Sequence, residues 1–459
     1  MGASRVTPAR ALALSVCAQV RRRDAFAHEL MDTALADAHL TPQDAAFART
    51  LVLGCVATRG TLDELIDGVL KSPKDIEDAV RDALRISAYE LFFLDHPAHA
   101  VVDQGVELAA SARPRARGVA NFALRRLAEK QADFPFGDPV RDTAALSRAA
   151  GFPLWLTELA KARYGDMRAA RFLAVSNDPA PVFFTVNACR ASDEEVFAAL
   201  EAAGITHEQG WIADESFGKL PVAYCRALLH AADVASETFA ALIREGKVIV
   251  SDAAAQAVAF IALPEEAPSA MLEVGAGRGT KTLLLQSLAQ RTFGRQIPLA
   301  CIDYLDFKAD LLTARLKAAG ITDTEVLVAD GTDLDATFGG RSFDAIFIDA
   351  PCSELGTLRR HPEIRWRLTP EDITSLAGVG KRMLASAATH LASGGRLTYS
   401  SCTITPEETT DLIRDFAESP AARSLEAIPH DGEGAPCFAS LLSHGSGDAH
   451  FAAAFRRIG

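Results

Sequence analysis

Residues 270–281 read A-M-L-E-V-G-A-G-R-G-T-K. A short apolar run ends in three alternate glycines, Gly275, Gly277 and Gly279, and a helical stretch follows. Glycines at the carboxyl end of a strand let the backbone approach a ligand and present N–H groups with no Cβ in the way. That is also where open α/β sheets bind their ligands. The spacing is G-x-G-x-G, which is neither the dinucleotide fingerprint nor a phosphate-binding Walker loop.

From about Val248 onward, short apolar runs alternate with helical segments, and strands are predicted over 270–274, 299–303, 325–328, 345–349 and 396–399. Such alternation implies a parallel sheet with helices on both faces, a Rossmann-like α/β domain spanning 248–459. The second strand ends at Asp303, placed to accept from both hydroxyls of a ribose. The third ends near Asp330, where an adenine amine is within reach. Together with the loop Gly275, Ala276, Gly277, Arg278, Gly279, Thr280 and Lys281, these carboxylates point to a nucleoside cofactor.

The fourth strand runs into D-A-P-C-S, with Asp349 and Cys352, and the fifth into Y-S-S-C-T-I-T-P-E-E, with Cys402. Both cysteines therefore leave neighbouring strand ends on the edge that carries the glycines. Thr405 to Glu408 has the spacing of a capping box for the helix that follows.

Residues 1–130 form an all-helical region. Ile76, Val80, Leu84, Ala88 and Leu91 recur at helical spacing, and Thr7-Pro8 and Thr41-Pro42 mark helix starts. A linker is expected over 131–150, beginning with Q-A-D-F-P-F-G-D-P. A small α+β domain is expected over 151–247, with a strand at 182–187 and a helix stopped by Gly204.

The 459-residue chain is too long for a single core, and 49% apolar with 23% charged residues is an ordinary globular balance. A net charge of -13 argues mildly against a nucleic-acid protein, since phosphate binding needs clustered Lys and Arg. Basic residues nevertheless cluster at Arg21 to Arg23, at Arg113, Arg115 and Arg117, at Arg125 and Arg126, and at Arg359, Arg360, Arg365 and Arg367. The eight cysteines form no C-x-x-C pair, so neither a metal site nor a disulfide framework is signalled. No apolar run is long enough to span a bilayer, and the opening M-G-A-S-R-V-T-P-A-R lacks the apolar core of a secretory signal. A cytoplasmic monomer with no membrane or metal partner is expected.

D-A-P-C-S-E-L-G-T-L-R-R-H-P-E-I-R-W and T-Y-S-S-C-T-I-T-P-E-E resemble the Pro-Cys and Thr-Cys motifs of the RsmB/Sun (Fmu) family of 16S ribosomal RNA cytosine-C5 methyltransferases. V-I-V-S-D-A-A-A-Q, with Asp252 and Gln256, is similar to that family's entry to the catalytic domain. F-A-R-T-L-V-L-G, L-R-I-S-A-Y-E-L-F-F-L-D-H-P-A-H-A-V-V-D-Q-G-V-E-L-A and G-V-A-N-F-A-L-R-R resemble a NusB-like RNA-binding domain. In the family the glycine loop usually reads A-A-P-G-G-K-T, so Arg278 and Thr280 are departures here while Lys281 is kept. Ser401 stands for the usual Thr before Cys402, and Glu354-Leu355 for Gly-Thr after Pro-Cys-Ser.

The resemblance implies S-adenosylmethionine as cofactor and ribosomal RNA, 16S or a small-subunit precursor, as partner. It implies Cys402 as nucleophile, Cys352 as the residue that helps release product, and Arg359, Arg360, His361, Arg365 and Arg367 on the RNA. The chemistry suits this pairing of thiols. Cytosine C5 is a poor nucleophile until a thiolate adds to C6. A carboxylate such as Asp349 steadies the ring, and a further group removes the C5 proton. Two other classes compete: an RNA-binding assembly or transcription factor with an inactive methyltransferase domain, and an amino-methyltransferase. The latter wants an Asn-Pro-Pro-Tyr type sequence after strand four, where this chain has Asp-Ala-Pro-Cys.

Overall fold

A computed structural model describes residues 6–23, 25–214, 218–430 and 437–459. The first five residues, part of the opening read for a signal, lie outside the described ones. Two compact units emerge, Met1–Pro179 with Leu358–Arg367, and Ala180–Thr357 with Leu368–Gly459.

The first unit is helical. Its helices Pro8–Arg23 and Pro42–Ala57 begin at the two Thr-Pro pairs, and the Thr41 hydroxyl accepts from the Asp44 N–H at 3.1 Å. Helix Asp78–Phe92 lies at its centre, with Val80, Leu84, Ala88 and Leu91 buried as their spacing requires. Three of its charged residues, Asp82, Arg85 and Glu90, are buried too, which is tolerable only because each is paired. Arg85 bonds Asp63 at 2.7 Å and Asp82 at 2.8 Å, and Arg10 meets Glu90 at 2.5 Å.

Residues 131–150, expected as a linker, instead carry a helical turn, Gln131–Asp133, and the helix Thr143–Ala150 capped by Asp142. Helices Leu154–Tyr164 and Asp166–Val175, expected in the α+β domain, also belong to this unit. Its Pro, Gly and Asp content made the stretch read as coil. Those residues turn out to sit at the bends between short helices.

The unit's last component arrives from far along the chain. Residues 358–367 bring their polar groups to helix ends, where backbone groups lack intrahelical partners. The Ala27 N–H, at the start of helix Ala27–Asp37, donates to Glu363 Oε1 at 2.9 Å. Trp366 Nε1 donates to the Ala57 carbonyl at 2.8 Å, closing helix Pro42–Ala57. Arg365 donates to the carbonyls of Gly151 and Ser176, just past two further helices, and to Asn177 Oδ1 at 2.7 Å. The opposite charges of Glu363 and Arg365 match the helix poles they meet.

The second unit is built on one sheet. Its strands are β1 (Phe183–Val186), β2 (His207–Asp214), β3 (Gly218–Leu228), β4 (Val248–Val250), β5 (Met271–Val274), β6 (Leu299–Asp303), β7 (Thr324–Val328), β8 (Phe343–Asp349), β9 (Leu391–Ser401), β10 (Leu425–Ile428), β11 (Phe438–Leu441) and β12 (Phe451–Arg457). They run in the order β4-β1-β3-β2-β11-β12-β9-β8-β5-β6-β7, with β10 on β12. The five strands predicted from apolar runs are β5 to β9, parallel throughout. Strand β12 pairs antiparallel with β9, and β11 hands the sheet on to β2, so the α+β strands extend the catalytic sheet.

Strand β5 lies between β6 and β8, and the crossovers leave it in opposite directions. Such a switch point opens a crevice at the carboxyl ends of the strands. Apolar side chains pack on both faces of the parallel strands: Ala345, Phe347 and Cys301 on one, Ile346, Ile348 and Ile302 on the other. Among the described residues no helix is long and apolar enough to cross a membrane, and no three His, Cys, Asp or Glu are grouped to hold a metal.

Candidate active site

The loops after β5 and β8 approach so closely that a Cβ on Gly275 would stand 2.3 Å from the Asp349 carbonyl oxygen. With φ at 86°, Gly275 is also in a backbone region that side chains disfavour. The cleft beside it has a volume of about 680 Å³, within the range that holds a nucleoside-sized ligand. Gly275, Gly277, Lys281, Asp303, Asp330 and Asp349 line it, as do both Cys352 and Cys402.

Asp303, at the end of β6, organises the glycine loop. Its Oδ2 accepts from the Gly277 N–H at 2.9 Å and its Oδ1 from the Leu305 N–H at 3.0 Å. Asp330 accepts from the Thr332 N–H and hydroxyl, both at 2.8 Å, which holds its carboxyl below the usual range. Four residues of the expected cofactor loop stay off the cleft wall. Ala276 is buried, Gly279 packs toward Leu312, the Arg278 carbonyl accepts from Arg315, and Thr280 faces that same arginine.

The sequence reading did not find Tyr304, Leu305, Gly331, Arg382 or Met383, which also line the cleft. Tyr304 and Leu305 follow Asp303 directly, so their place was inferable. Arg382 and Met383 come from helix Pro370–Thr389, and nothing local marks them.

At the other end of the cleft the two thiols meet. Cys352 Sγ and Cys402 Sγ lie 3.3 Å apart, and the Cys402 N–H donates to Cys352 Sγ at 3.3 Å. The Cys352 contact, with burial adding to it, pushes the Cys402 thiol well above its ordinary pKa, while the Lys281 ammonium pulls it back. Lys281 Nζ bonds Asp349 Oδ2 at 2.7 Å, and the Ser400 hydroxyl donates to Asp349 Oδ1 at 3.3 Å. Burial alone would lower the Lys281 pKa, but the charges of Asp349 and Cys402 carry it above its ordinary value. Beneath the loop, Glu273 is fully buried, and desolvation pushes its carboxyl up to about 7.

Three family models match the chain: 16S rRNA methyltransferase RsmB/F over residues 260–456, the NusB family over 7–129, and an RsmF/B-like ferredoxin-like domain over 152–217. The chain is 30% identical over 423 residues to ribosomal RNA small subunit methyltransferase B of Pseudomonas putida, covering 89% of both chains. The chain belongs to the RsmB/F methyltransferase family. The enzyme of the same name from Vibrio cholerae is 30% identical over 400 residues, covering 86% of each chain. Among solved structures, PH0851 superposes with a TM-score of 0.79 at 21% identity, over 99% of this chain and 100% of its own. NSun6 from Pyrococcus horikoshii gives 0.53 at 17%, over 67% and 99%.

The cofactor is S-adenosylmethionine. The residues present fit it: a glycine cradle that any Cβ at 275 would fill, and the Asp303 and Asp330 carboxylates beside it. When bound, it supplies the methyl group.

The arginines expected on RNA are placed differently. Arg365 is fully buried in the helical unit, its guanidinium 3.8 Å from the Phe152 ring centroid, and burial lowers its pKa to about 9. Arg359 is buried as well, Arg367 donates to the Ala25 carbonyl at 3.1 Å, and His361 packs 4.5 Å from the Phe26 ring. Arg360 is half-buried. Arg365 is thus a correction to the sequence reading, since it is out of reach of solvent and its two terminal nitrogens are spent on Gly151, Ser176 and Asn177. Elsewhere in this unit Arg21 pairs with Asp78 and Asp82, Arg113 with Glu77, Arg117 with Glu107 and Arg126 with Glu129. Those carboxylates offset much of the clusters' charge. Arg22, Arg23 and Arg115 are exposed.

Proposed function

We propose that this chain methylates C5 of a cytosine in small-subunit ribosomal RNA, 16S or its precursor, through a covalent bond between Cys402 and C6. The observation that carries the reading is the pair of thiols 3.3 Å apart on the cleft that holds the glycine loop. An enzyme that bonds to a ring carbon and must then leave it needs two groups at one ring edge, one to attack and one to take a proton.

Cys402 loses its proton to water, its thiolate favoured by the Lys281 ammonium, and the sulfur adds to C6, which makes C5 electron-rich enough to accept the methyl group. Asp349 and Lys281, joined at 2.7 Å, offer an acceptor and a cation where density builds on the ring. Cys352, as its thiolate, then takes the C5 proton, the electrons of that C–H bond re-form the C5–C6 double bond, and the sulfur–C6 bond breaks with its electron pair returning to Cys402. The helical domain, residues 1–130, docks the RNA through its exposed arginines. In the RNA-binding factor reading the paired thiols would be idle.

The test is incubation with 16S RNA and S-adenosylmethionine, followed by bisulfite sequencing. A single new bisulfite-resistant cytosine supports the reading. RNA binding with no methyl transfer supports the binding factor, and a methyl group on another atom overturns the C5 assignment.

A further inference from the structure

Glu408 has no role in the chemistry just described, yet its side chain is almost fully buried beside it. The spacing T-P-E-E suggests a helix cap, but the carboxylate does something else. Its Oε1 accepts from the Ser353 N–H at 2.7 Å. Its Oε2 accepts from the hydroxyls of Ser353 at 2.5 Å, Thr405 at 2.6 Å and Thr403 at 3.3 Å. Ser353 follows Cys352 in the chain, and Thr403 follows Cys402. The two hydroxyls also meet each other at 2.6 Å. A second tie joins the same loops, from the Gly356 N–H to the Cys402 carbonyl at 2.9 Å. The Glu408 backbone is pinned in turn by the Tyr399 hydroxyl, which donates to its carbonyl at 2.9 Å.

We propose that Glu408 is a positioning residue: one buried carboxylate, bonded to the neighbours of both cysteines, sets the separation of the two thiols. Burial pushes the Glu408 carboxyl above its ordinary range, and the hydrogen bonds from Ser353, Thr405 and Thr403 pull it part of the way back. A carboxylate is acceptor-only, so it can gather the Ser353 N–H and the surrounding hydroxyls at one point. The proposal rests on the two-thiol mechanism above for its consequence, but the geometry is separable from it.

Glu408→Gln keeps the size and one acceptor oxygen, and replaces the other with a donor that faces either three hydroxyls or the Ser353 N–H. Two measurements are made on the full chain. The first is the rate of covalent trapping on RNA carrying 5-fluorocytosine, with KM for cofactor and RNA. The second is the rate at which diamide closes the Cys352–Cys402 disulfide in free protein. In that step two thiols lose two protons and two electrons, and the N=N bond of diamide is reduced to the hydrazine.

We expect Glu408→Gln to slow trapping roughly 10- to 100-fold with both KM values within about twofold, since misplacement of about 1 Å costs that much. Disulfide closure should slow in parallel. Trapping or closure at the parental rate in folded Glu408→Gln overturns the proposal. If that variant fails to fold, Ser353→Ala decides, with the same direction expected and parental rates overturning it. A parent that never traps RNA sinks the covalent reading instead, and the disulfide rates then still decide the role of Glu408.

Discussion

Replacing Arg365 with alanine separates two roles for an arginine that the sequence alone leaves indistinguishable. Its bond to Asn177 at 2.7 Å is worth about 1.5–3 kcal/mol for a charged donor. The stack on Phe152, at 3.8 Å, adds about 1–2 kcal/mol in a desolvated site. Against these stands the cost of burying the charge, visible in a pKa lowered to about 9, which the substitution relieves. The net loss is about 2–4 kcal/mol, in line with breaking other buried polar contacts. Because the chain has two compact units, the loss is read locally, by hydrogen exchange of amides in helix Leu154–Tyr164. Exchange there should accelerate roughly 30- to 1,000-fold, the equivalent of 2–4 kcal/mol. Arg365→Met, which keeps the volume and drops the charge, should lose about half as much or less. Parental exchange in Arg365→Ala, with RNA affinity selectively lost, would refute the structural role and restore the RNA-facing one.

Three further outcomes follow. Asp303→Ala should weaken S-adenosylmethionine binding by about 1–3 kcal/mol in calorimetry, because the acceptor that orders the Gly277 N–H goes with it; equal affinity would contradict the cofactor assignment. Lys281→Met should shift the rising limb of the methylation pH profile to higher pH, since the thiolate is the reactive form and the ammonium beside Cys402 lowers that thiol's pKa; an unchanged or acid-shifted limb would remove Lys281 from thiol activation. Charge reversal at Arg22 and Arg115 should weaken RNA binding and flatten its dependence on salt by about one unit of log–log slope per lost phosphate contact, as read by filter binding at several salt concentrations.

Much of the second unit was legible because parallel strands buried on both faces are continuous apolar runs with glycine or acid at their ends, as in 299–303 and 345–349. Asp303, Cys352 and Cys402 could be placed for the same reason: they end such runs. The C-terminal strands β10 to β12 were not read, since A-A-A in β12 carries no strand signature and its burial depends on β9. Nor was the fate of 358–367. A run of arginines has the same local pattern whether it meets phosphates or backbone carbonyls, and only the distant Ala25, Gly151 and Ser176 decide between them. Glu408 failed in the same way. A carboxylate three residues after a threonine reads as a cap, but beside Thr405 its donors include Ser353 and Thr403 across the site.

Removing residues 1–130 to test RNA docking would also strip the partners of Glu363 and Trp366, a few residues beyond the Pro-Cys loop. Charge reversal on the exposed arginines is therefore the cleaner probe.

The central claim, that Cys402 attacks and Cys352 releases, is tested by running single-cysteine variants with RNA and S-adenosylmethionine on a denaturing gel. Cys402→Ala should abolish both methylation and any linked species. Cys352→Ala should transfer the methyl group and then stay attached, so that protein and RNA migrate together. A linked species from Cys402→Ala, or full activity in that variant, would contradict the account.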